Sequence, residues 1–308
     1  MTVSAIQDGS WNDPATWEGG HIPGTGDVVE LNGHTITDDV ASIACSSVTN
    51  ANGGQLLIDL SVGDLAIYAN LMADVIPLAL VTGSVHTLTV STVRGGTVQG
   101  AHGLINNGTG NIAATTSTGG SPTESDYWGD GCHGIINNST GLITVGDAIG
   151  GDGIEWCHGV LNNSTGAVAA TNAVGGDSGY SNDSYGICNL GGGPVTAANS
   201  TGGNGYACFG LYNLQLAVVN VTNANGGPST YSIGVYDAGN GLLTVKNVAG
   251  GLYDSAFGIK CGGNAANCVV TGNLIYKNEV PIQGHFTYTP DPGAFIQFGD
   301  SLKFIQQP

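Results

Sequence analysis

Apolar and polar residues alternate in short stretches that recur through the middle of the chain. In each stretch two apolar positions lie two residues apart: Leu88 and Val90, Ile112 and Ala114, Ile143 and Val145, Val168 and Ala170, Val195 and Ala197, Val219 and Val221, Leu243 and Val245. A period of two is typical of β-strands that bury one face. The pattern therefore predicts one strand in each copy, with these residues facing a shared core.

The stretches belong to a repeat whose basic unit is 24 residues. Each of seven copies opens with an aromatic residue, His or Ile, followed by Gly and an aliphatic residue. In the first six of them a Gly-Gly pair ends 17 residues after that first glycine. The openings are His102-Gly103-Leu104, His133-Gly134-Ile135, His158-Gly159-Val160, Tyr185-Gly186-Ile187, Phe209-Gly210-Leu211, Ile233-Gly234-Val235 and Phe257-Gly258-Ile259. Three copies carry insertions, all between the Gly-Gly pair and the next opening.

A strand-rich unit of this length cannot bury its apolar face alone, so neighbouring copies must stack. The sequence therefore predicts an all-β fold, a right-handed parallel β-helix with about eight rungs from Ala79 to about Ile275. The handedness is expected from the general preference of parallel crossovers. Residues 41–278 are assigned to this solenoid, with two or three less regular rungs between Val40 and Leu78.

Two columns of the repeat are polar. Asn or Asp stands three residues after the first glycine, at Asn106, Asn137, Asn162, Asn189, Asn213 and Asp237, and thirteen residues after it, at Asp147, Asn172, Asn199, Asn223 and Asn247. Stacked Asn side chains can hydrogen-bond from rung to rung and suit turns, so both columns predict amide ladders. The Gly-Gly pairs are expected to supply the positive φ angles of a further turn.

Composition removes several classes of function. The chain has 53 glycines in 308 residues and a formal net charge of −18, with Arg94, Lys246, Lys260, Lys277 and Lys303 as its fixed cations. Binding to phosphate backbones or anionic membranes needs clustered Lys and Arg, so neither a nucleic acid nor a membrane is expected as a partner. No cofactor is predicted, although the negative charge could attract Ca²⁺.

The first residues, 1–9, lack the basic and apolar regions of a signal peptide, and no apolar run of about 18 residues predicts a membrane span. The seven cysteines form no CxxC motif, so a disulfide framework is not predicted.

The N-terminal segment carries a distinct set of motifs. Trp11 and Trp17 form a W-x(5)-W pattern, followed by P-G-x-G-D at Pro23 to Asp27 and G-x-T-I at Gly33 to Ile36. Over residues 9–40 this resembles the opening of G8-type segments, which begin many β-helical surface and phage proteins. The resemblance implies that residues 1–40 form an N-terminal cap. Within it, the two Trp side chains are expected to cover the first rung, and Asp27 is expected to tighten a turn before a strand.

Residues 279–308 lose the repeat and are predicted to form a C-terminal cap or an oligomerisation segment. Together with the Gly-, Asn- and Thr-rich rod, this resembles bacteriophage virion appendages: tail fibres, tailspikes and head-decoration proteins. The resemblance implies a non-enzymatic structural protein at the virion surface, outside the cell. It also implies a homotrimer that contacts other virion proteins and, in addition, a host surface glycan.

The three insertions carry the candidate site, because they leave the solenoid at the same corner of neighbouring rungs. They contribute acidic and aromatic residues: Glu124, Asp126, Trp128, Asp130, Asp152, Glu155, Trp156, Asp177, Tyr180 and Asp183. Aromatic faces beside carboxylates suit a glycan or a cation. Two carboxylates about 5–9.5 Å apart would permit glycoside hydrolysis and make the protein a polysaccharide-degrading tailspike. The alternative is a solvated cluster that covers the rod or contacts another subunit.

Each of three other columns has a structural interpretation and a functional one. His102, His133 and His158 continue into Tyr185 and Phe209, so an aromatic stack is favoured over a metal site. Cys132, Cys157 and Cys208 alternate with Ala and Ser, so free thiols that serve as small packing residues are favoured over a disulfide between rungs. An outward row of Thr, Ala and Ser would suit subunit packing, a cell-surface adhesin or an ice-binding face.

Overall fold

The structure is a computed structural model of the chain. It describes residues 1–61, 63–83, 86–98, 100–121, 131–152, 156–177, 184–253, 256–262, 267–276, 281–298 and 301–304. Within these residues the chain forms 28 β-strands and two short 3₁₀ helices, Pro14–Thr16 and Glu18–Gly20. The strands alternate along the chain between two sheets, so that each sheet collects every second strand over most of its length.

The larger sheet has 16 strands in the described part of the chain. They are β1 (Thr2–Ser4), β3 (Val28–Glu30), β5 (Ser42–Thr49), β7 (Leu65–Met72), β9 (Thr87–Arg94), β11 (Asn111–Thr118), β13 (Ile143–Ile149), β15 (Val168–Val174), β17 (Val195–Thr201), β19 (Val219–Asn225), β21 (Leu243–Ala249), β23 (Cys268–Val270), β24 (Leu274–Tyr276), β26 (Thr287–Tyr288), β27 (Phe295–Phe298) and β28 (Ser301–Phe304).

The smaller sheet has 12 strands among the residues described. They are β2 (Gly9–Ser10), β4 (Thr35–Thr37), β6 (Gln55–Asp59), β8 (Ala79–Thr82), β10 (Leu104–Asn106), β12 (Ile135–Asn137), β14 (Val160–Asn162), β16 (Ile187–Asn189), β18 (Phe209–Asn213), β20 (Ile233–Asp237), β22 (Ile259–Cys261) and β25 (Ile282–Gln283). Neighbouring strands in this sheet are parallel throughout.

These sheets form a β-solenoid of about 11 turns, which confirms the predicted all-β, stacked parallel architecture. The stretch from Val40 to Leu78, where two or three less regular rungs were predicted, contains β5 to β7. The count exceeds the predicted eight because these rungs precede the regular ones and because β1 to β4, assigned to the cap, also pair in the two sheets. Local repeat regularity is therefore not required for a segment to add a rung.

The register of the strands matches the columns of the repeat. Ile112 pairs with Ile143, Ile143 with Val168, and Val168 with Val195, although these residues are 31, 25 and 27 positions apart. The insertions therefore do not disturb the register, and they leave the rungs at one corner. The side chains of this column are at most 1% exposed and form part of one continuous core along the axis.

The first glycine of each copy lies where the two sheets approach closely. A Cβ on Gly103 would lie 2.4 Å from Val93 Cγ1, and one on Gly159 would lie 2.4 Å from the backbone nitrogen of Ile149. The hydroxyl of Ser117 crosses the same gap and donates to the Gly159 carbonyl. Glycine is thus required here because a side chain would fill space that the opposite sheet occupies.

The Gly-Gly pairs serve a different purpose from the one predicted. Gly120, Gly151 and Gly176 do not have positive φ angles, so the expectation of a left-handed turn is wrong. A Cβ on Gly120 would lie 2.0 Å from the Gly96 carbonyl oxygen of the preceding rung. These glycines are needed because the backbones of successive rungs are in contact at this corner.

Both predicted Asn ladders are present, and they run in opposite directions. In the inner ladder Nδ2 donates to the next rung, as from Asn137 to Asn162 Oδ1 at 3.0 Å, and the ladder ends on Asp237. In the ladder on the larger sheet Nδ2 donates to the preceding rung, and the ladder ends on Asp147. Each ladder therefore ends with a carboxylate, which can only accept, at the end where an acceptor is needed.

A third ladder was not predicted. Asn107, Asn138 and Asn163 are linked by Nδ2 to Oδ1 hydrogen bonds of 3.1 Å on the outer side of the turn that carries the inner ladder. The sequence signal was the Asn-Asn dipeptide in three successive copies.

The two ends of the solenoid are closed differently. Trp11 and Trp17 are 3% and 0% exposed, and Trp17 Nε1 donates to the Trp11 carbonyl at 2.8 Å. Asp27 accepts from the Gly24 amide at 2.9 Å, which confirms its predicted role in a turn. That hydrogen bond and one to His21 hold the pKa of the Asp27 carboxyl well below its usual range. At the other end β27 pairs with β24 and then forms an antiparallel hairpin with β28.

Candidate functional site

The insertion corner retains its exposed chemistry where the structure describes it. Asp152 and Asp177 are exposed, and the Trp156 side chain is 53% exposed. The remaining candidates lie outside the described residues: Glu124, Asp126, Trp128, Asp130, Glu155, Tyr180 and Asp183. The preserved register on both sides of the insertions places Asp152, Trp156 and Asp177 at one corner of successive rungs.

The aromatic character of this corner extends further along the rod than sequence reasoning recognised. In later copies, which have no insertion, the same corner exposes Tyr206 (53%), Tyr231 (43%) and Tyr253 (53%). The rings of Tyr206 and Tyr231 meet edge to face, with centroids 4.7 Å apart. The missed signal was an aromatic residue between the Gly-Gly pair and the next opening. We call Trp156, Tyr206, Tyr231 and Tyr253 the aromatic corner.

The turns that carry these rings are held to one another by polar side chains. Ser229 Oγ donates to Asn204 Oδ1 of the preceding rung at 2.7 Å. Ser232 is fully buried, and its hydroxyl donates to the Gly203 carbonyl at 2.6 Å. The rings are therefore presented by hydrogen-bonded turns, with serine and asparagine side chains between them.

The histidine column is an aromatic stack, as predicted. The His102 and His133 rings are 5.1 Å apart and nearly parallel, and stacking continues through His158 and Tyr185 to Phe209 with spacings of 4.7–4.9 Å. The backbone N–H of His158 donates to His133 Nδ1, and that of Tyr185 donates to His158 Nδ1, each at 3.2 Å. An Nδ1 that accepts cannot carry a proton, so the column favours neutral imidazoles with the proton on Nε2.

Burial also favours the neutral form of these imidazoles. Desolvation lowers the pKa of His158 to about 3, and the pKa of His133 also lies well below its usual value because of desolvation and its histidine neighbours. In the part of the chain that the structure describes, no group of three or more His, Cys, Asp or Glu side chains is placed to hold a metal ion.

The cysteine column is buried and contains no disulfide, as predicted. Cys132, Cys157 and Cys208 are 0% exposed, and the Cys132 backbone N–H donates to Cys157 Sγ at 3.4 Å. A disulfide does join Cys261 and Cys268, seven residues apart, which sequence reasoning missed. Cys261 ends β22 and Cys268 begins β23, so the disulfide links the two sheets.

A cavity of about 280 Å³ near the start of the solenoid is lined by Asp38, Asp39, Asp59 and Asp64 among others. Their oxygens are engaged by the backbone: Asp38 accepts from the Asp59 amide at 3.0 Å, and Asp64 accepts from the Thr87 amide at 2.7 Å. Burial raises the pKa of Asp38. These carboxylates therefore link successive rungs at a corner, and they account for the cavity's polarity without a ligand.

Comparison with known proteins found no match to a family model, a curated protein or a solved structure. The resemblances to G8-type segments and to phage appendages therefore stay predictions. Among the described residues no helix is long and apolar enough to cross a membrane.

Proposed function

We propose that this chain is a non-enzymatic structural protein of a virion surface, where it decorates the head or forms part of a tail fibre or tailspike. The observation that carries the proposal is the solenoid itself, with about 11 turns joined by parallel sheets and three Asn ladders. Such a rod gains its stability from contacts between neighbouring rungs, and it presents the same corners repeatedly along its length. These properties suit a durable extracellular spacer or display element.

A homotrimer, which the resemblance to phage appendages implies, is proposed, and the distribution of charge indicates which face its copies would share. The seven strands β9, β11, β13, β15, β17, β19 and β21 contain only three charged residues, Arg94, Asp147 and Lys246. Copies with a net charge of −18 repel one another, so this nearly neutral sheet face is where they could approach most easily. Light scattering of the purified chain tests the proposal, which predicts three times the monomer mass at low and high salt.

Cryo-electron microscopy of native particles that contain the chain tests the virion assignment. Ordered copies on a capsid or tail would support the proposal and would show which face contacts other virion proteins. Absence of the chain from purified particles would overturn it. Steady cleavage of a polysaccharide by the purified protein would overturn the non-enzymatic assignment.

A polysaccharide-degrading tailspike is the second candidate. The exposed Trp156 at the same corner as Asp152 and Asp177 favours it, because an aromatic face and carboxylates are the parts that glycoside hydrolysis uses. Replacing each acidic residue of the insertions with its amide, one at a time, tests this function. If a polysaccharide is cleaved and no replacement slows the cleavage, these carboxylates do not form the site. A bound Ca²⁺ would be detected by calorimetry on the same variants.

A further inference from the structure

The aromatic corner continues beyond the insertions, onto rungs that the candidate site did not include. Tyr206 and Tyr231 lie on adjacent turns with their rings in contact, and Tyr253 follows on the next turn. Each ring is about half exposed although the neighbouring core offers buried aromatic positions, such as the column that contains Phe209. Exposure of one large ring per turn contributes little to folding, so another reason for these rings is required.

The backbone at Tyr231 gives independent support. Tyr231 has a φ of +62°, in the left-handed region that bulky residues rarely adopt. It is the third residue of a turn in which the Ser232 amide donates to the Ser229 carbonyl at 3.3 Å. Three residues before the opening glycine, Gly100 and Ala207 also have positive φ angles, of +75° and +57°, so this conformation belongs to the turn. Glycine would relieve the strain at Tyr231, and the chain instead has an exposed tyrosine there.

We infer that the aromatic corner binds an uncharged glycan chain that lies along the rod axis. The rings offer flat apolar faces for sugar rings, and the exposed side chains of Asn204 and Thr230, in the turns that carry Tyr206 and Tyr231, can bond sugar hydroxyls. An anionic glycan is disfavoured because the corner contains neither Lys nor Arg and neighbours Asp152 and Asp177. The repeat of the rings from turn to turn fits a polymer better than a single small ligand.

The turns that lead from the smaller sheet to the larger one provide a comparison. The turn after β18 exposes Leu214, Leu216 and Val218, and earlier turns of the same kind carry the outer ladder of Asn107, Asn138 and Asn163. The exposed apolar area of the turn after β18 is therefore aliphatic, which makes it a matched comparison for the exposed rings of the aromatic corner.

The inference rests on the proposed surface location only for its biological setting, so the test uses the purified full-length chain alone. Affinity electrophoresis in gels containing mannan, dextran or hydroxyethyl cellulose, with alginate as the charged comparator, measures retardation. We expect retardation by at least one neutral polymer and none by alginate. Tyr206→Ala and Tyr231→Gly should each weaken the apparent affinity by about fivefold to tenfold.

Two controls separate binding from folding. The double variant Leu214→Ala with Leu216→Ala removes exposed apolar area at the turn after β18 and should bind like the wild type. Tyr231→Gly should raise the melting temperature by about 2 °C, because it relieves the left-handed strain while it removes the ring. No retardation by any neutral polymer, retardation only by alginate, or equal retardation of the tyrosine variants would each overturn the inference. Its failure would leave the virion assignment standing, which depends on particle imaging alone.

Discussion

Asn162 shows why the inner ladder uses asparagine at its interior positions. Its Nδ2 donates to the Gly166 carbonyl and to Asn189 Oδ1, both at 2.8 Å, and the side chain is fully buried. A carboxylate in its place would face two oxygen acceptors with nothing to donate. Asp237 avoids this conflict because the next residue in its column is Cys261, so no further amide has to receive a hydrogen bond.

Asn162→Asp is therefore expected to destabilise the protein by about 3–5 kcal/mol at pH 7, since it buries a charge beside acceptors. Burial would raise the pKa of the new carboxyl, so part of the loss should be recovered as the pH falls and the group is protonated. Asn163→Asp is the matched control because Asn163 is the next residue, lies in the outer ladder and is exposed. Its cost should stay below about 1 kcal/mol. Chemical denaturation at pH 7 and pH 4 measures both; equal costs would contradict the argument.

The buried imidazoles predict a loss of stability in mild acid. The pKa of His158 is about 3 in the folded protein and about 6.5 in the unfolded chain. Its stabilising contribution is therefore complete above pH 6.5 and is lost as the pH falls towards 3, by about 1.4 kcal/mol per pH unit. His133 acts in the same direction.

His158→Phe tests this pH dependence with a residue that the same column already contains at Phe209. The variant should lose about 1–2 kcal/mol at pH 7, because the Tyr185 amide loses its acceptor. Its free energy of unfolding should then fall less steeply than that of the wild type between pH 6.5 and pH 4.5. Parallel slopes for the two proteins would show that His158 does not titrate as described.

At the scale of the element, the contact between turns should make the Gly-Gly corner intolerant of any side chain. Gly120→Ala would place Cβ 2.0 Å from the Gly96 oxygen and 2.5 Å from Cys132 Cβ. We expect a loss of about 1–3 kcal/mol or more. Gly63→Ala is the control, since a Cβ there meets nothing within 4 Å and Gly63 does not have a positive φ; its effect should be within about 1 kcal/mol of zero. A Gly120→Ala variant as stable as Gly63→Ala would refute the close contact.

At the scale of the whole molecule, the solenoid depends on its closed ends because an open end exposes unpaired strands and core residues. Trp17 is fully buried at the first turn, and Trp17→Ala should cost about 3–5 kcal/mol. Trp156→Ala removes a ring that is 53% exposed and should cost less than about 1 kcal/mol. Hydrogen exchange should locate the effect of Trp17→Ala in the first turns, around β1 to β4. Uniform loss of protection along the rod would instead indicate one cooperative unit.

The sequence alone determined the stacked parallel architecture, the strand columns, both principal Asn ladders and the histidine stack. It could do so because each rung repeats the same positions, so a pattern along the chain becomes a contact between copies. Only the tertiary structure showed that residues 1–40, predicted as a cap, already pair as rungs, because this pairing depends on neighbouring strands and not on a regular local repeat.

The structure alone also explained the Gly-Gly pairs, the Cys261–Cys268 disulfide and the row of Tyr206, Tyr231 and Tyr253. A glycine in a sequence does not distinguish a positive φ from a backbone in contact with the next rung. A tyrosine in a turn does not reveal whether its ring is buried or exposed. The role of the glycine depends on the distance between rungs, and the exposure of the tyrosine depends on whether its ring points towards the core or towards solvent. Both are set only when the turns are stacked.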